Sequence, residues 1–198
     1  VGDGIMRLRA TDGFRAAYID VAGVSGEFDA QIPGKSLTAI FNNIESGEVL
    51  FGKTKQDAVV FRNYNNEFSA VQVNGTYPDI DSFIPKHYES EIDIDVDELL
   101  EVVRRLAVIE PVMIKVHGKE DGLTLIANSD NTFLDEFYRT PASETLRFAL
   151  SPKFFVDALK VMKAAGDSKA KMRYVNVKAP VTFVSRHIHM IMPMAMDE

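Results

Sequence analysis

The chain has 198 residues, 46% of them hydrophobic and 26% charged, with no cysteine and a formal net charge of −7, and its mean hydropathy is −0.06. These ordinary values exclude disorder, a collagen-like repeat and a coiled coil, and the absence of cysteine excludes a disulfide scaffold, a thiolate metal centre and a cysteine nucleophile. The acidic balance argues against a protein that grips nucleic acid by neutralising many phosphates, although a basic stripe is compatible with an acidic total.

No apolar run approaches the roughly 20 residues that span a bilayer, and no charged-then-apolar leader is present. The expectation is a cytoplasmic chain without a membrane partner. It begins at Val1 rather than at a methionine, which reads as a fragment.

Along the chain, the first predicted helix covers about residues 34–44, with Leu37, Ile40, Phe41 and Ile44 on one face. Turn residues then gather in Asn74-Gly75-Thr76-Tyr77-Pro78-Asp79 and in Ile84-Pro85-Lys86-His87, and a domain boundary is placed near residue 87. This divides the chain into 1–87 and 88–198. Ile92, Ile94 and Val96 alternate with acids as a half-buried strand does.

A second helix begins near Asp95, with Leu99, Val102, Val103 and Leu106 on its apolar face, a Glu101–Arg105 pair, and Pro111 marking its end. Val112, Ile114 and Val116 form the next strand, and the Asp121-Gly122 turn predicts a hairpin into Leu123 and Leu125. Leu146, Phe148 and Leu150 form another strand. The third helix runs from about Pro152 to Ala165, with Ser151 as N-cap and Gly166 as its stop. Val181 and Phe183 mark a late strand, so strands outnumber helices and the fold class is α+β.

The segments Phe28–Leu37 and Phe148–Phe155 share one order: strand, proline, lysine, apolar helix face. That predicts two copies of one unit. The strand and helix starting near Asp95 have no counterpart ahead of Pro33, so the first copy is expected to be truncated.

Chemical motifs are few. His187 and His189 point to one side of a strand without a third ligand, and the expected reading is an exposed strand rather than a metal site. Asp93, Asp95, Asp97 and Glu98 lack the glycine of a calcium loop and read as the wet side of a strand entering a helix. Neither a nucleophile elbow nor a phosphate-binding loop is present.

Lys153, Lys160 and Lys163 share one side of the third helix, opposite most of Phe154, Ala158, Leu159, Val161 and Met162, while the second helix carries Arg104 and Arg105. Solvated helix faces are the ordinary explanation of such stripes. The tail Met190-Ile191-Met192-Pro193-Met194-Ala195-Met196 is unusually rich in methionine, a residue suited both to filling gaps and to adaptable binding surfaces. Met192 is expected to close a buried last strand. Pro193 would then stop the pairing and leave Met194 and Met196 near a surface.

Four segments, in order, resemble the bacterial sliding clamp, the beta subunit of DNA polymerase III. They are Leu8-Arg9-Ala10-Thr11-Asp12-Gly13-Phe14-Arg15-Ala16, the run Val73–Asp79 followed by Phe83-Ile84-Pro85, the run Phe148–Leu159, and Met190–Met194. The resemblance implies a DNA clamp fold, repeated units of two helices on antiparallel sheet, with 1–87 as a truncated middle domain and 88–198 as the C-terminal domain. It implies a processivity factor that catalyses nothing and needs no cofactor or metal. The parent would be a homodimeric ring encircling double-stranded DNA through nonspecific backbone contacts. DNA polymerase and clamp loader subunits would dock through short apolar peptides in a hydrophobic pocket.

Carried over by motif, that pocket consists of Thr11, Gly13, Phe14, Arg15, Ala16, Pro78, Phe83, Phe154, Pro180, Met190, Ile191, Met192, Pro193 and Met194. The DNA channel candidates are Lys35, Arg104, Arg105, Lys153, Lys160 and Lys163. A fragment lacking the first domain is expected to be a monomer or a nonstandard oligomer. The alternative is a clamp-like scaffold or decoy that binds such peptides without encircling DNA.

The sequence departs from the family pattern at Phe14, where histidine is usual, and at Ser151, where asparagine is frequent. It departs also in a shortened Val108–Val112 stretch and in the closing Ala195-Met196-Asp197-Glu198.

Overall fold

The computed structural model describes residues 1–196, so Asp197 and Glu198 of the closing departure lie outside the described residues. The elements in chain order are β1 (Ile5–Thr11), β2 (Arg15–Ala22), α1 (Gly34–Phe41), β3 (Leu50–Lys53), β4 (Ala58–Asn63), β5 (Asn66–Val71), a 3₁₀ turn (Asp81–Phe83) and β6 (Ser90–Asp95). They continue with α2 (Val96–Ala107), β7 (Ile114–Lys119), β8 (Gly122–Ser129), β9 (Thr132–Arg139), β10 (Arg147–Leu150), α3 (Pro152–Ala164), β11 (Lys169–Tyr174), β12 (Val181–Val184) and β13 (Ile188–Ile191). The α+β class and the antiparallel sheets are as expected. Two compact units result, one made of Val1–Ala10 and Asp20–Asp79, the other of Thr11–Ile19 and the chain from Ile80 onward.

In the first unit β3, β4 and β5 form an antiparallel sheet. Val59 and Phe61 alternate inward on β4, and with Ile40 and Ala70 they make a small core, edged by Leu37, Ile44, Phe51 and Phe68. Phe51 stacks on Phe61 at 6.3 Å between ring centroids. Helix α1 ends at Phe41, earlier than expected, because the chain turns through Asn42 and Asn43, whose N–H groups donate back to Thr38 and Ile40. Phe28–Ile32 is not a strand. The shared order of the two copies therefore holds only for the proline and the helix that follows it.

The second unit contains two sheets and two helices. One sheet runs β10-β7-β8-β9; in the other, β2, β13, β12, β11 and β6 are neighbours in that order. The register aligns Ile92, Met172, Phe183, His189 and Ala17 in one row across the second of these sheets. Because side chains alternate across a strand, that whole row shares one face. Phe155 of α3 packs on Phe183 at 5.5 Å, so this is the face turned toward the helices.

On α2, Val96, Leu99, Leu100, Val102, Val103 and Leu106 are buried, and on α3, Phe155, Ala158, Leu159 and Met162. Each of the larger side chains, Ala158 excepted, contributes about 1.5–3 kcal/mol when fully buried. Val96 opens α2 instead of closing the preceding strand, and Val112, expected in β7, lies outside it and exposed.

The helix starts differ from one another. Asp95 caps α2 through a carboxylate oxygen that accepts the N–H of Glu98 at 3.0 Å. Ser151 stands at the α3 N-cap without a side-chain hydrogen bond, and Pro152 supplies the preset φ of the first turn. Gly118 marks one close approach: its N–H donates to the carbonyl of Leu146 at 2.8 Å, and a Cβ there would meet the carbonyl of Ser143.

Candidate docking site at the chain's tail

The site is built around the end of β13. This strand pairs with β2 so that Met190 faces Ala16 and Ile191 faces Arg15. Regular pairing stops at Ile191, but the Met192 N–H still donates to the Phe14 carbonyl at 2.9 Å, and the Met194 N–H to the Ala149 carbonyl at 2.8 Å. Pro193 has no N–H to offer between them. The tail is thus laid along the turn before β2 and then against β10.

The end of strand pairing, rather than alternation, marks where tail side chains begin to reach solvent. Met190 and Ile191 are buried, whereas Met192 is 40% exposed, the reverse of the buried closing position expected for it. Met194 and Met196 are half-buried, with part of each side chain open to solvent. Phe14 and Phe83 stand out at 66% and 61% exposure.

The turn that presents Phe14 is tied by polar bonds. The Thr11 hydroxyl donates to the Arg15 carbonyl at 2.8 Å and accepts from the Gly13 N–H at 3.1 Å. Asp12 accepts the N–H of Phe14 at 3.1 Å and the guanidinium of Arg15 at 2.9 Å. Gly13 occupies φ +90°, a conformation costly for a residue with a side chain.

Arg15 also reaches Asp157 on α3 at 2.8 Å and lies over the Phe154 ring at 4.3 Å. Partial burial pushes the Asp12 carboxyl up, but the Arg15 guanidinium and two backbone N–H groups outweigh it and hold the pKa below the usual range. A forked guanidinium serves here because it can meet two carboxylates and a ring face at once.

Asp12 and Asp157 were not among the expected site residues. Both lie within the family-like segments, Asp157 at the acidic position of the third, yet no local spacing announces a partner 142 residues away. Pro180 is buried just ahead of β12. Phe83 sits in the 3₁₀ turn that follows Ile80, whose carbonyl accepts the Tyr18 hydroxyl. Pro78 is exposed and belongs to the first unit.

Behind the tail strand lie the two late histidines, which the structure buries. Both are 8% exposed, correcting the expected exposed strand. Period-two spacing placed them correctly on one side, but that side faces the helices. Their rings are 5.3 Å apart, His187 Nδ1 lies 3.4 Å from Asp167, and His189 Nε2 is buried without a hydrogen-bond partner. Burial, with the nearby His187 and Arg15, pushes the His189 pKa down to about 4. Among the described residues no cluster of three or more metal-ligating side chains occurs.

The candidate DNA-contacting cations fall into two classes. Lys163 bridges to Asp97 at 2.6 Å, Arg104 to Glu101 at 2.8 Å, and Arg105 to Glu136 at 2.6 Å. The last two replace the expected Glu101–Arg105 pair. Arg105 holds Glu136 below the usual carboxylate range. Lys35, Lys153 and Lys160 are exposed and form no ion pair among the described residues. Val161, expected on the apolar side of α3, is 47% exposed beside Lys160.

Comparison with known proteins agrees with this architecture. The chain resembles the Beta sliding clamp of Streptococcus pneumoniae at 25% identity over 194 residues, covering 90% of this chain and 49% of that protein. It resembles that of Bacillus subtilis at 26% over 164 residues, covering 76% and 42%. The chain therefore spans about half the length of the curated relatives it matches.

Among solved structures, the DNA polymerase sliding clamp from Bacillus subtilis superimposes with a TM-score of 0.90 at 23% identity, over 100% of this chain and 55% of that one. The DNA polymerase III beta subunit from Thermotoga maritima gives 0.85 at 20% identity, over 100% and 56%. At such identities these two matches speak for the fold alone. The decisive match is the family model for the DNA polymerase III beta subunit, C-terminal domain, over residues 81–197. With more than half the sequence inside that model, the chain belongs to the DNA polymerase III beta subunit family, the bacterial sliding clamps.

Proposed function

We propose that the chain acts as part of a DNA sliding clamp, a processivity factor that encircles double-stranded DNA and recruits polymerase and clamp loader subunits through short apolar peptides. In this reading residues 1–87 serve as a middle domain, 88–198 serve as the C-terminal domain, and the ring is a homodimer of the longer protein. The chain has a binding role and no catalytic one.

The observation that carries the reading is the seating of the tail. Met192 is hydrogen-bonded beside Phe14, both side chains are exposed, and Arg15 braces the same turn against Phe154 and Asp157. A peptide with two or three apolar anchors would find rigid backbone and adaptable side chains there, and a few such anchors supply most of the affinity of an interface. On the DNA side, Lys153 and Lys160 hold no acid, so they can meet phosphates loosely, as sliding requires.

The test is fluorescence anisotropy with a labelled peptide carrying aliphatic and aromatic anchors. Phe83→Ala and Met194→Ala are each expected to weaken binding by about 1–2 kcal/mol without loss of fold. Wild-type affinity in both variants would remove the site. For encirclement, the ring of the longer protein should be retained on nicked circular DNA and lost when that DNA is linearised.

A further inference from the structure

We propose that Met192 is a site of reversible oxidation that switches off the docking surface at the tail, an inference that rests on the docking reading above. The sequence has eight methionines and no cysteine, so thioethers are its only sulfur targets for an oxidant. Met162, Met172 and Met190 are buried to 4% exposure or less, while Met192 stands at 40%. Met6, Met113, Met194 and Met196 are half-buried.

The exposure of Met192 follows from its place in the chain. Ile191 is the last residue of β13, and Met192 lies just past the paired strand at 40% exposure, whereas Met190, two residues earlier within it, is 4% exposed. Its backbone cannot swing away, because its N–H is held by the Phe14 carbonyl and Pro193 fixes the following φ.

The reactant is hydrogen peroxide or another two-electron oxygen donor. The sulfur lone pair attacks one peroxide oxygen, the O–O bond breaks, and an S–O bond forms. The second oxygen takes up the proton and leaves as water. Sulfur is oxidised by two electrons and the peroxide is reduced by two.

The product is a polar, chiral sulfoxide in place of a flexible apolar group, and methionine sulfoxide reductases can reverse it. An apolar peptide covering that sulfoxide would bury its oxygen without a partner. Because the Met192 side chain is not part of the core, the change acts on binding and spares the fold.

Dilute hydrogen peroxide followed by peptide mapping in a mass spectrometer orders the methionines by rate, with anisotropy of the labelled apolar peptide read on the same samples. Met192 is expected to gain one oxygen first. Peptide affinity should then fall about 10-fold or more and recover after treatment with both sulfoxide reductases. In Met192→Leu the ratio of affinities before and after peroxide should stay near one, whatever its starting affinity.

Oxidation of Met162, Met172 or Met190 as fast as Met192 overturns the inference, as does unchanged affinity in protein oxidised at Met192. Failure of the reduced protein to bind the peptide brings down the docking reading and the switch together. Binding by the reduced protein that persists unchanged after oxidation at Met192 fails the switch alone and leaves the docking reading in place.

Discussion

The two units of this chain solve the same packing problem with very different resources. In the second, α2 and α3 pack on each other and on both sheets, and buried residues from Ile92 to Ile191 form one continuous cluster. In the first, a single short helix and three strands enclose only Ile40, Val59, Phe61 and Ala70. Helix starts do not follow this contrast: α2 has a carboxylate cap, whereas α1 in the first unit and α3 in the second have none. The exposed Phe14, Phe83 and Met192 of the proposed docking site, with Arg15 and Asp157 beside them, belong to the unit with the large core. A site that must hold exposed apolar groups in fixed positions benefits from a rigid backbone beneath it.

The sharpest way to break that contrast is a core truncation in each unit. Phe155→Ala removes a fully buried ring on Phe183 and should cost about 3–5 kcal/mol in urea unfolding, with Phe61→Ala costing less because its site is shallower. Hydrogen exchange should show the first unit opening well before the second, and equal protection of the two would remove the distinction.

Acid provides the next largest effect, because all four histidines lie in the second unit. His189 is held near pKa 4 in the folded state against an ordinary 6.5, so the unfolded chain binds the extra proton first. The second unit should therefore lose stability as pH falls from about 6.5 to 4, by about 3 kcal/mol, with no further loss from this group below that window. His189→Phe should flatten the profile; a profile unchanged by the substitution would locate the acid sensitivity elsewhere.

Smaller effects sharpen the comparison at its edges. Asp95→Ala should destabilise the second unit by about 1 kcal/mol through loss of the α2 cap, read by thermal unfolding. The joint change of Lys153 and Lys160 to alanine should lower the salt slope of DNA binding by roughly one per lost phosphate contact. Arg105→Ala should lower it less, since Glu136 already occupies that guanidinium. An equal change from Arg105 would show that ion pairing does not decide which cations meet DNA.

How much of this was legible in the sequence depended on whether a pattern was local. Helices α2 and α3 announced their inward faces because a 3.6-residue period needs no knowledge of the neighbour. The family-like segments likewise pointed to the turn at Gly13 and the Met-Pro-Met tail, which the structure joins through the Met192 N–H and the Phe14 carbonyl. β1, β2, β3, β4, β5, β9 and β11 escaped notice: β1 alternates Met6, Leu8 and Ala10 with Arg7 and Arg9 yet went unread, and in the others short runs mixing charged and apolar residues give no clean alternation until their partners are known.

The histidines show the limit most clearly. Spacing of two suggested one side for His187 and His189, yet only the row that joins His189 of β13 to Phe183, and so to Phe155, decided that this side was the core. Arg15 was legible as a site residue, whereas its bond to Asp157 was not.

By itself, then, the sequence determined the α+β class, the family and the helix faces, all of which depend on near neighbours along the chain. Tertiary structure alone decided which strand face is buried, which cations carry an acid, and which single methionine is left exposed. Those outcomes depend on residues brought together from distant positions, and no one-dimensional period encodes them.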